Sequence, residues 1–182
     1  MANKKKKSNL KVLKSITYIA IAMGIFSCFL YGYLPMMKST VSIANNTNLY
    51  SGFAMIFGGE ATVEWSTLTI NDITQTGIRY IDVNFNTVAF IGFIAVVLGV
   101  IVSLLQLAIK SIHKNKIIGL LSALLILSGG IGMICVRDSA LTAMNINKAL
   151  QSLYEIGYGA IISGIMAIIS GVSIGVINFL KK

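Results

Sequence analysis

Four long intervals free of Asp, Glu, Lys, Arg and His limit what this chain can fold into more than any other feature: Ser15–Met37, Val83–Ile109, Ile117–Val136 and Ile156–Leu180. A helix needs about 20 mostly apolar residues to cross the ~30 Å hydrocarbon core of a bilayer, and each interval reaches that length. Composition agrees, because 182 residues with 55% apolar and only 12% charged side chains lack the polar surface of a dissolved globule. The expected fold class is membrane all-α, a bundle of four transmembrane helices.

The charges between the spans orient the bundle. The tail 1–14, the connection 110–116 and the end 181–182 carry eleven Lys residues, the single His113 and no acidic residue. The connections 38–82 and 137–155 carry Lys38, Arg79, Arg137 and Lys148 against Glu60, Glu64, Asp72, Asp82, Asp138 and Glu155. Since Lys and Arg are retained in the cytoplasm, both termini are expected inside a cell membrane and both acidic connections outside. A net charge of +9 does not call for nucleic acid here: the basic residues flank spans, where they set topology and attract anionic lipid at about 1 kcal/mol each. "MANKKKKSNLKVLK" could open a signal peptide, but the apolar run that follows exceeds the usual 7–15 residues and reads as a retained anchor. "IFSC", Ile25–Cys28, only loosely matches a lipoprotein cleavage site, because "FLYGY" continues the span.

The first outer loop is patterned. "TVSIA", "FAMIF", "TVEWSTLTI" and "GIRYIDVNF" are short runs rich in β-branched and aromatic residues, separated by Asn, Gly and Ser clusters. They predict a small extracellular antiparallel β-sheet of three or four strands resting on the helix ends. Within it Phe53–Phe57 is wholly apolar and far too short to span. We read it as a strand with Phe53, Met55 and Phe57 on one face, although Leu49, Phe53, Ile56 and Phe57 also fit a helical period. In the second loop Asp138 or Ser139 can cap a helix, and Asn147 can start the fourth helix before the membrane.

The spans carry seams of small residues: Gly92, Ala95, Gly99 and Ser103 in the second, Ala160, Gly164, Ala167, Gly171 and Gly175 in the fourth. Membrane helices associate by close backbone approach at such positions, within one bundle or, through Gly171 and Gly175, between two copies. The candidate helix-packing residues are therefore Gly92, Gly99, Gly164, Gly171 and Gly175. "SGG", Ser128–Gly130, could loosen the third span but need not form a hinge.

Chemistry is expected to be absent. No ionisable residue lies within a span, which argues against a proton-coupled exporter. Intramembrane hydrolysis needs carboxylates or a nucleophile with a base, and a thiol oxidoreductase needs a paired thiol. Cys28 and Cys135 differ in expected depth by roughly 10 Å, too far for a disulfide, and are assigned to packing. Glu60, Glu64, Asp72 and Asp82 match no calcium loop, no His/Cys cluster suits zinc, and "FGGE" is no phosphate loop. Gln106, Ser27, Ser103, Ser122 and Ser170 are read as interhelical hydrogen-bonding groups. No cofactor, metal or catalytic residue is expected.

In layout the chain resembles the claudin-like four-helix arrangement: termini inside, a long first outer loop with strands and Trp65, a short second one. It departs from claudins in lacking that loop's cysteine pair and tryptophan motif. Locally it resembles small, largely uncharacterised four-span proteins of low-GC bacteria, through Gly52–Gly58, Phe85–Asn86 and Gly157–Ile165. That resemblance implies no activity. The leading expectation is a non-enzymatic bacterial membrane protein contacting lipid and a protein partner or a second copy of itself. Its candidate interaction residues are Tyr50, Phe53, Phe57, Trp65 and Tyr80. The alternatives are an accessory subunit of a transporter, a lipid- or uncharged-substrate-handling bundle, and an envelope immunity or stress protein.

Overall fold

The computed structural model describes residues 2–41, 46–70, 73–109 and 115–180. The basic residues Lys110 and Lys114, His113 and Asp72 lie outside them. In chain order the elements are α1 (Ala2–Tyr33), β1 (Pro35–Val41), β2 (Asn46–Ser51), α2 (Gly52–Phe57), β3 (Gly59–Ile70) and β4 (Ile73–Val83). They continue with α3 (Thr87–Ala108), α4 (Lys116–Ile134), α5 (Arg137–Ala143), a 3-10 turn (Lys148–Leu153), β5 (Tyr154–Ile156) and α6 (Tyr158–Leu180).

Four helices are long and apolar enough to cross a membrane: Val12–Tyr33 of α1, and α3, α4 and α6. In each of them only 28% to 44% of the most apolar window is buried inside the protein, so most of that apolar surface faces outward. α4 packs extensively on both α3 and α6, and α6 also on α1; α1 and α3 meet much less, leaving the loosest seam of the bundle.

Local chemistry sets the helix ends. The chain's only proline, Pro35, lacks an N–H and disfavours helix at the residue before it, so α1 stops at Tyr33 and the chain turns into β1. The expected first span to Met37 is thereby shortened, and Met36 and Met37 are buried strand residues instead. Asn86 caps α3 by accepting from the Ala89 N–H at 3.1 Å, and Asn115 caps α4 by accepting from Ile117 N–H at 3.0 Å.

The expected small antiparallel sheet is present, but it is differently made. One sheet has the order β2-β1-β5, so its third strand comes from the second connection. A separate two-stranded ribbon pairs β3 with β4 in a register running from Gly59↔Val83 to Ile70↔Ile73. Two further expectations are corrected. Gly52–Phe57 is a helix, not a strand: its turns satisfy backbone groups within the segment while its side chains pack on α1 and α3. The fourth long helix starts at Tyr158 and not near Asn147, whose side chain instead caps the 3-10 turn through the Ala149 N–H. Asp138 and Ser139 lie inside α5, whose N-cap is Val136.

Candidate functional site

The sheet end of the bundle gathers the structure's non-helical features. β1 is central there, flanked by β2 and β5, and three contacts tie β5 down. The Gly157 N–H donates to the Met36 carbonyl at 2.7 Å. Lys38 and Glu155 are cross-strand partners and form an ion pair at 2.7 Å. The guanidinium of Arg137 donates to the carbonyls of Gln151 (2.9 Å) and Tyr154 (3.1 and 3.2 Å), with Asp138 at 3.2 Å. One planar fork thus holds the whole approach to β5. Lys38 accordingly holds the Glu155 carboxyl below its ordinary pKa, through its hydrogen bond and then its charge.

Beneath the sheet lies a methionine-rich core. Met36, Met37, Met55, Met133 and Met144 are all buried, together with Tyr31 and Tyr50. Unbranched thioethers fill the irregular space between strands and helix ends. The Tyr31 hydroxyl and the Asn86 amide nitrogen are buried there without a hydrogen-bond partner among the described residues.

The five candidate interaction residues do not converge. Tyr50 is 1% exposed, beside Tyr154 at a ring distance of 6.0 Å and within 3.4 Å of the Ser39 hydroxyl, so it belongs to the interior of the sheet. Phe53 and Phe57 sit on α2, on an aromatic row that bridges α1 and α3. Tyr33 meets Phe53 edge-on at 5.0 Å, Phe53 stacks with Phe57 at 6.2 Å, and Phe57 meets Phe90 and Phe93 edge-on, each at 5.9 Å. Gly32 makes this possible: a Cβ there would stand 2.6 Å from the Phe53 ring. Trp65 and Tyr80 lie on the ribbon, opposite Gly77 and Thr62 in the register.

The candidate packing glycines face helices of the same chain. A Cβ at Gly92 would approach the backbone of Gly129, Gly132 and Met133 of α4, and one at Gly99 would meet Ile126 and Ser122. Gly164 lies against Gly130 and Ile134, and Gly171 against Leu127 and Ala123, whereas Gly175 has only the Ala123 Cβ at 3.5 Å. "SGG" is no break, since α4 runs unbroken from Lys116 to Ile134; Gly129 abuts α3 and Gly130 abuts α6.

Polar groups join the helices at three levels. Ser170 donates to the Ala20 carbonyl at 2.6 Å, Ser103 pairs with Ser122, and Gln106 donates to Asn178 Oδ1 at 3.0 Å and to the Asn115 carbonyl at 3.1 Å. Ser27 bonds within its own helix, to the Gly24 carbonyl. Sequence reasoning missed Asn178. The signal was available, because Gln106 and Asn178 are the two amides near the same end of the expected spans.

Cys28 and Cys135 are both free thiols. Among the described residues no group of three His, Cys, Asp or Glu side chains could hold a metal ion. Glu60 and Asp82 stand opposite each other across the ribbon base. Compared with known protein families the chain matches none, and no curated protein matches it in sequence.

Proposed function

We propose that the chain is a non-enzymatic, multi-pass protein of a bacterial cell membrane that presents its sheet end outside the cell to a protein partner or a second copy of itself. The observation that carries this reading is the β3–β4 ribbon. Its strands of 12 and 11 residues extend roughly 40 Å at about 3.3 Å per residue, rooted in the core by Ala61 and Val83. A two-stranded ribbon is marginal on its own, and unpaired strand edges invite a further strand. β2 runs close to β3, but among the described residues no ladder joins the two sheets. Trp65 and Tyr80, on this ribbon, are of the residue types that anchor interfaces.

Support for the orientation comes from the eleven Lys residues on the termini side and their absence of acidic company there. The claudin-like reading draws on the same layout, a strand-bearing first connection above four helices. Photo-crosslinking from the ribbon tests the function. A crosslinker at Thr76 should give a discrete adduct with a partner or a second copy in native membranes, and one at lipid-facing Leu104 should not. A chain that stays monomeric and uncrosslinked at Thr76 contradicts the reading.

A further inference from the structure

The apolar segment Gly52–Phe57 has no charged or strongly polar side chain, yet it lies in the connection between two long apolar helices. Its depth follows from its contacts. The Gly52 backbone abuts the Tyr31 carbonyl, and Phe53 covers Gly32, so the start of α2 lies alongside the last turn of α1 and not beyond its end. Phe57 meets Phe90 and Phe93, which are three and six residues into α3; at 1.5 Å per residue these stand about 4.5 to 9 Å inside the helix start. The α2 backbone therefore lies level with the helix ends, with Gly58 abutting Val83–Phe85 just before α3, and its phenylalanine rings reach down to the level where the long helices are already apolar.

Its two faces differ. Met55 and Ile56 are fully buried, whereas Phe53 and Phe57 remain 42% and 46% exposed. The exposed rings are continuous with outward-facing Phe29 and Tyr33 of α1 and with Phe85 just before α3. Those neighbours belong to helices whose apolar surface mostly faces outward, and exposed Tyr33 and Tyr158 mark the head-group level at which aromatic side chains settle. A segment at that depth must also satisfy its own backbone. α2 does so as a helix, closing with the Gly58 N–H donating to the Ala54 carbonyl at 3.0 Å.

We propose that α2 is a lipid-immersed wedge: its Phe53 and Phe57 face seats among the upper acyl chains of the leaflet at the sheet end. There it closes the loose α1–α3 seam and fixes the height of the sheet above the membrane. The occupant of this face is phospholipid, on the grounds of depth, continuity with the outer surfaces of the spans and lack of any polar group. The wedge differs from the ribbon in what it touches, and it rests only on the four helices spanning.

Depth-dependent fluorescence quenching of the full chain in phospholipid vesicles tests this. Trp65→Phe removes the only native tryptophan, and Phe57→Trp or, separately, Phe53→Trp supplies the probe. Lipids brominated high on the acyl chain should remove more than about half the emission, as expected for insertion ~5–10 Å into the head-group and acyl boundary. Lipids brominated near the chain ends should quench less, and aqueous iodide hardly at all. Strong iodide quenching with no effect of brominated lipid overturns the proposal, because the face is then in water. Protection from both quenchers also overturns it, because a second copy or another protein then covers the rings. Resistance of the same vesicles to alkaline carbonate extraction reports separately on the spans.

Discussion

Gly129 and Gly175 are both small residues on helix seams, but their surroundings give them different tasks. A Cβ at Gly129 would stand 2.6 Å from Val96 Cγ2 and 2.7 Å from the Gly92 carbonyl oxygen, the second being backbone that cannot swing away. Gly129→Ala should therefore cost about 1–3 kcal/mol by overpacking, and Gly175→Ala should stay within about 0.5 kcal/mol. Unfolding of the two variants by titration from mild detergent into SDS measures the difference. At the other end of the bundle, Gln106 and Asn178 should couple by about 0.6 kcal/mol and by no more than ~1.7 in a double-mutant cycle with Leu at each position. Seam glycines are readable from helical spacing, because close approach demands them. What spacing does not show is the partner: Gly129 and Gly130 are adjacent in sequence and abut different helices, α3 and α6.

At the scale of elements, β5 is the part least visible in the sequence. Three residues, Tyr154–Ile156, carry no period of their own; they are a strand only because β1 and the Arg137 fork hold them. Arg137→Ala should raise amide exchange across 148–156 and leave the four long helices protected, and Arg137→Lys should not restore protection, since an ammonium cannot reproduce the fork. The Lys38–Glu155 pair adds a pH dependence. Glu155 has a lowered folded-state pKa, so its contribution is present above the ordinary value of 4.5 and is lost as pH falls through the lowered one. Exchange of the Gly157 amide, corrected for intrinsic rates, should thus accelerate at acid pH in the native chain, and Glu155→Gln should remove the acid limb. α2 shows the converse limit. Five apolar residues fit a strand face and a helix turn equally, and the choice is made by contacts with α1 and α3 that lie far away in sequence.

For the whole molecule, the four helices long and apolar enough to cross a membrane were legible because hydrocarbon thickness sets a length that each of the four uncharged intervals reaches. Their ends were legible only where a residue enforces them, as Pro35 does for α1 and Asn86 for α3. The three-stranded sheet was foreseen in kind but not in strand order, since pairing of β1 with β5 joins residues more than a hundred positions apart. With a rooted sheet and ribbon at one end and the lysine-rich start of α1 at the other, sidedness decides whether the ribbon can meet a partner outside the cell. Cysteine accessibility on intact cells tests that claim most directly, in a chain whose Cys28 and Cys135 are replaced by Ser. The account predicts that Ser66→Cys reacts with a membrane-impermeant maleimide on intact cells and that Ser111→Cys reacts only after permeabilisation; labelling of Ser111→Cys alone on intact cells would contradict it.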